Sequence, residues 1–105
     1  MTPEGKVKAR GRKILNAMGM YHFPPFSGGY GRAGVPDDVG CYRGCFIGIE
    51  YKAGKGKLTA IQIKNLEDIG KCGGVALVIN EDNVDNLEEL IEDGIRRQRN
   101  RASHG

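Results

Sequence analysis

Val75-Ala76-Leu77-Val78-Ile79, an unbroken apolar run of strand length set off by Gly73-Gly74, constrains the fold more than any other stretch of the chain. Five apolar residues without polar alternation suit a strand covered on both faces, as in an α/β domain. The 105 residues leave room for one such domain, residues 1–105. A chain this short buries a modest fraction of its surface, so a second copy would add core that it cannot supply alone.

The flanking segments alternate helix and strand. Thr2 can cap a first helix with Pro3 at its opening position and Glu4 in the first turn. Val7, Gly11, Ile14 and Met18 recur along it at helical spacing, and Glu4 leans toward the same buried side. Gly19 ends this helix, and Met20 to Phe23 form a short strand before Pro24-Pro25. Phe26 to Gly34 is a glycine-rich loop with two aromatics and Arg32, suited to a nucleic acid backbone and an unpaired base, or to a plain connection. Strands over Asp38–Tyr42 and Cys45–Lys52 follow, joined by a tight turn at Arg43-Gly44. Thr59 to Gln62 then matches a capping box at the start of a helix reaching about Lys71, with Gln62, Leu66 and Ile69 on one stripe. After the apolar strand, Asp82 or Asn83 can cap a last helix with Val84, Leu87, Leu90, Ile91 and Ile95 inward. From about Arg96 the chain becomes a basic tail, read as an extension that contacts nucleic acid or as a solubilising end. This order describes a compact three-layer α/β/α domain with a mixed central sheet.

Charge is unevenly spread. Seven acidic residues and no basic one lie between Glu81 and Asp93, so the remainder carries 16 basic against 6 acidic residues, although the net formal charge is only +3. A basic face opposed by one acidic helix suits a polyanionic partner. Cys41, Cys45 and Cys72 are odd in number, and without a secretory leader they point to a reducing, cytoplasmic setting rather than a disulfide scaffold. No second Cys/His pair follows Cys41 and Cys45 at zinc-binding spacing. No apolar stretch approaches the ~18 residues of a spanning helix, so no membrane role is expected.

Three features converge on chemistry. Pro36-Asp37 opens one hairpin strand, Glu50-Tyr51-Lys52 closes the other, and Gln62 begins the next helix. Antiparallel pairing across Arg43-Gly44 brings Asp37 toward Glu50, and two carboxylates make a hard, oxygen-rich site of the kind Mg²⁺ or Mn²⁺ prefers. The Tyr51 carbonyl can complete the coordination, and Glu4 can join directly or through water. Lys52 leaves the strand on Glu50's side and can orient an attacking water, while Gln62 can fix a water or a group near the phosphate. Glu50 shares its face with Phe46 while Cys45, Ile47, Ile49 and Tyr51 fill the other, so neither face is obviously solvent and a paired or metal-bound charge is favoured.

Glu4, Gly34-Val35-Pro36-Asp37, Gly48-Ile49-Glu50-Tyr51-Lys52, Gly56-Lys57-Leu58-Thr59 with Gln62, and Gly73-Gly74 together resemble the virus-type replication-repair nuclease (VRR-NUC) domain, a compact restriction-endonuclease-like PD-(D/E)xK nuclease. The resemblance runs from Glu4 to about Leu90. It implies Mg²⁺-dependent phosphodiester hydrolysis centred on Asp37, Glu50 and Lys52 with Glu4 and Gln62 in support. It also implies a homodimer that cuts branched DNA such as four-way Holliday junctions, as stand-alone viral and bacterial members do, within the host cytoplasm for a viral protein. Flap or replication-fork cleavage is the alternative substrate reading. Asp38 stands where the family usually has an apolar residue, so a one-residue shift would offer Asp38 to the metal instead. A non-catalytic nucleic-acid-binding module would use Lys6 to Lys13, Arg32, Lys55, Lys57 and the terminal arginines but leaves the carboxylates without a task. A small assembly protein would use the acidic helix.

Overall fold

The computed structural model describes residues 1–26 and 31–104. Tyr30, one of the two loop aromatics, lies outside the described residues. Helix α1 spans Pro3–Ala17, strand β1 Tyr21–Phe23, β2 Asp38–Tyr42, β3 Cys45–Tyr51, helix α2 Ala60–Lys71, β4 Val75–Ile79, a 3₁₀ turn Val84–Asn86 and helix α3 Leu87–His104.

The sheet runs in the order β1-β2-β3-β4, antiparallel through the first three strands and parallel between β3 and β4. The Arg43-Gly44 turn that sets the β2–β3 register has both residues at positive φ, 52° and 77°, the geometry that matches the twist of a two-residue hairpin. Register then assigns the faces. Ile47 and Val75, Ile49 and Leu77, and Tyr51 and Ile79 are paired on one side. Helices α1 and α3 cover that side, and Val7, Leu15, Leu87, Ile91 and Ile95 complete its core. Gly11 permits a close approach of α1, because a Cβ there would stand 2.5 Å from the Tyr51 ring.

Phe46, Gly48 and Glu50 face the other side, where Ile69 of α2 packs against Gly48 and Gly74. This makes the three layers. The coverage is unequal, however. β4 is an edge strand and Val78 remains 37% exposed, so the apolar run is not covered on both faces as its composition suggests. One helix of 12 residues lies across that side of the sheet and leaves Val78 uncovered.

Two further expectations change at the C-terminal end. Asn83 makes no capping hydrogen bond to the last helix; its side chain instead accepts from the Asn80 N–H at 2.8 Å and donates to the Val78 carbonyl at 3.1 Å. Residues 96–104 continue α3 rather than forming a separate tail. Gln98 Nε2 ties them down by donating to the carbonyls of Gly70 and Gly74 at 2.9 and 2.7 Å. Gly70 lies in the last turn of α2 and Gly74 just before β4, where the helix end leaves carbonyls short of intrahelical partners. No helix of the described residues is long and apolar enough to cross a membrane.

Candidate active site

β2 and β3 are placed so that the first residues of one lie beside the last residues of the other, with Asp38 paired to Ile49. Two residues further along β3, Tyr51 has no β2 residue opposite it. Its N–H donates to Asp37 Oδ2 at 2.8 Å instead, so a side chain replaces the missing strand partner and is fixed by doing so. The Lys52 N–H donates the opposite way, to the Ile79 carbonyl at 2.9 Å. Because an extended residue turns its N–H and C=O to the same edge, the Tyr51 carbonyl also looks toward Asp37.

Glu50 is 3% exposed and sits on the α2 side of the sheet. Gln62 Nε2 donates to its Oε1 at 3.3 Å, while Oε2 is buried with no hydrogen-bond partner. Gln62 is itself anchored, since its side-chain oxygen accepts from the Thr59 N–H at 2.9 Å and its own N–H donates to Thr59 Oγ1 at 3.3 Å. One residue thus closes the capping box with its oxygen and holds Glu50 with its nitrogen. Burial foremost, then the charge and hydrogen bonding of Asp37, push the Glu50 carboxyl up to about 8. Lys52 pulls the other way and Glu4 adds a smaller push upward. These influences locate Asp37, Lys52 and Glu4 around Glu50.

Asp38 has a separate role. It is fully buried, takes three hydrogen bonds from Arg12 at 3.0–3.2 Å and a fourth from the Tyr51 hydroxyl at 3.0 Å. The same hydrogen bonding holds the Arg12 guanidinium above its ordinary pKa, and burial foremost raises the Tyr51 phenol. An acid so fully engaged is not the alternative ligand that a one-residue shift would provide. Its charge is satisfied by a partly buried pair that pins the start of β2 to α1 and the end of β3.

The structure therefore gathers Asp37, Glu50, Lys52, Gln62 and the Tyr51 backbone. Glu4 stands at the margin: among the described residues no three or more His, Cys, Asp or Glu side chains group closely enough to hold a metal ion. The donor set nonetheless fits a hard divalent cation. Glu50 Oε2 is buried without a hydrogen-bond partner, a second carboxylate is adjacent, and Mg²⁺ commonly takes one or two carboxylates and keeps its remaining positions for water.

Sequence reasoning missed three residues that shape the site. Lys8 Nζ lies 3.8 Å from Asp37 Oδ1, and Arg12 holds Asp38. Successive four-residue steps from Glu4 carried that signal, because Glu4, Lys8 and Arg12 form one helical stripe. Asn65 is the third, 8% exposed and donating to the Ala33 carbonyl at 3.2 Å, which ties α2 to the segment leading into Asp37. No local pattern marks it.

Two surface cavities of about 390 and 330 Å³ lie elsewhere, beside the Arg43-Gly44 turn and along the edge of β4. The carboxylate pair sits outside both.

No family sequence model and no curated protein matches the chain. A solved structure described as "VRR_NUC domain" does, with a TM-score of 0.72 and 27% identity over 85% of this chain and 97% of that one. The match runs over most of both chains, so this chain is similar in fold to a VRR-NUC nuclease domain.

Proposed function

We propose that this domain is a metal-dependent, structure-selective DNA endonuclease that hydrolyses phosphodiester bonds and resolves four-way junctions as a homodimer. The observation that carries the chemistry is Glu50: a buried carboxylate beside Asp37, held on one oxygen by Gln62 and unpartnered on the other. Asp37, Glu50 and the Tyr51 carbonyl would hold Mg²⁺ or Mn²⁺, with Glu4 acting through water. When bound, that ion supplies Lewis acidity toward a phosphate oxygen and lowers the pKa of a water.

The chain's own residues do the rest. Asp37 is kept in place by the Tyr51 N–H, and Gln62 keeps Glu50 from swinging out of the site. Lys52 leaves β3 next to Glu50 and orients the attacking water while offsetting charge on the pentavalent phosphorus. The Lys55 and Lys57 turn offers cations to flanking phosphates.

The junction and dimer readings rest on the family resemblance and on the surface. Tyr21, Phe23 and Phe46 are 71%, 45% and 48% exposed on the α2 side of the sheet, an apolar strip that a second copy would cover. Free thiols at Cys41, Cys45 and Cys72 suit a reducing cytoplasm.

The test is strand-resolved cleavage of a synthetic four-way junction beside linear duplex, flap and single-stranded controls in Mg²⁺. Paired nicks on opposing strands, with little cutting of linear duplex, are expected. Equal cutting of junction and linear duplex removes the junction assignment, and preferential flap cutting replaces it.

A further inference from the structure

Glu4, Lys8 and Arg12 bring three charges from α1 to the site, and the hydrolysis outlined above gives Lys8 no specific task. Arg12 is committed to Asp38. Lys8 is not committed in the same way. Its ammonium is 3.8 Å from Asp37 Oδ1, and the side chain keeps 29% exposure. That distance is within ion-pair range but longer than a hydrogen bond.

Asp37 is engaged unequally. Oδ2 accepts the Tyr51 N–H at 2.8 Å, which leaves Oδ1 as the oxygen not held by the backbone. Lys8 is the cation beside it. A divalent ion taking Asp37 there would stand close to an ammonium, and like charges about 4 Å apart repel by roughly 1 kcal/mol per unit product of charge even in water. The ammonium sits on a flexible four-carbon stem with three donors, so it can move without any backbone change. An anionic phosphodiester approaching the same carboxylates supplies the nearest new partner, and lysine binds phosphate as a mobile point charge.

We propose that Lys8 is a further substrate-binding residue of this site, whose ammonium neutralises Asp37 Oδ1 in the free protein and passes to a non-bridging phosphate oxygen when a divalent ion takes that carboxylate. This rests on the nuclease reading and adds a phosphate contact to it. Lys8 thereby screens the carboxylates from each other before substrate arrives and offsets their repulsion of DNA afterwards.

The experiment has two arms, neither of which reads cleavage. In the first, Mn²⁺ is titrated calorimetrically into the whole protein without DNA, for the wild type, Lys8→Gln and Lys8→Arg. Lys8→Gln is expected to bind Mn²⁺ at least about fivefold more tightly than the wild type, and Lys8→Arg to match the wild type. In the second, anisotropy of a labelled four-way junction is followed in Ca²⁺ and in EDTA. Lys8→Gln is expected to lose about tenfold in affinity in Ca²⁺, the order of one charge-assisted contact, and little in EDTA, where Asp37 still holds the wild-type ammonium.

Unchanged or weaker Mn²⁺ binding by Lys8→Gln overturns the proposal. So do equal losses of DNA affinity in Ca²⁺ and EDTA, which would make Lys8 one more charge on a basic face. Wild-type protein that binds Mn²⁺ while Lys8→Gln is indifferent defeats the Lys8 assignment alone; wild-type protein that takes up no Mn²⁺ defeats the metal-dependent nuclease reading with it.

Discussion

A carboxyl group buried to 3% exposure with one oxygen unpartnered opposes folding whenever it is charged, and Glu50 is such a group. Folding raises its pKa from an ordinary 4.5 to about 8, so the native protein binds this proton more tightly than the unfolded chain does. The associated stability is fully present below the unfolded value and is lost as pH rises through about 8. In EDTA, the wild type is therefore expected to melt progressively lower between pH 5 and pH 9. Glu50→Gln, which has no proton to lose, should lack that decline and at pH 9 should melt at least about 4 °C above the wild type, the shift that ~1 kcal/mol produces in a domain of this size. Parallel melting curves for the two proteins would show that Glu50 is not held protonated by its surroundings.

The same residues show what a sequence discloses at this scale. Asp37, Glu50 and Lys52 are legible because a two-residue turn fixes the pairing of their strands, and pairing across a hairpin is a local matter. Lys8 and Arg12 are hidden because they reach the site through the docking of a helix on a sheet. Asp38 reads as a competitor of Asp37 until Arg12 and the Tyr51 hydroxyl are seen to occupy it.

Among the elements, α2 joins fold to chemistry most economically, since Gln62 serves its N-terminus and Glu50 together. Gln62→Glu separates the two duties. A glutamate at the third helical position still completes a capping box and favours the positive end of the helix, but it cannot donate to Glu50 and adds a like charge beside it. The variant is expected to melt within a few degrees of the wild type at pH 5 and to lose at least about tenfold in cleavage rate at pH 8. Retention of full activity would free Gln62 from any part in the site. Thr59-x-x-Gln62 was readable because a capping box lies within four residues of sequence. Asn83 misleads by the same logic: its neighbours Asn80 and Val78 claim a side chain whose position also suits a helix cap. The terminal arginines mislead differently, since composition suggests a loose tail whereas Gln98 supplies a dock that only the α2–β4 turn can accept.

At the scale of the whole molecule, α1 and α3 close over one side of the sheet with the core, and α2 covers the other only in part. The apolar run in β4 announces a sheet strand but not its place at the edge, because strand order is set by crossovers and not by composition. The acidic segment is likewise less separate than its sequence implies. Glu81 receives the Gly54 N–H at 2.9 Å, Asp85 pairs with Arg10 and Glu92 with Arg43, so part of it is spent holding basic elements in place. On α1, Lys8 remains beside Asp37 at 3.8 Å, a cation next to the carboxylate pair.

The measurement that tests this most directly is cleavage of a labelled four-way junction in Mg²⁺ and in EDTA by the wild type, Asp37→Asn and Lys52→Ala, each checked for folding by its melting curve. Cutting by the wild type in Mg²⁺ alone is expected, with a loss of at least about a hundredfold in either folded variant, on the scale of removing one stabilising group from a charge-developing transition state. Cutting that persists in EDTA, or at full rate in both variants, would contradict the metal-dependent nuclease reading.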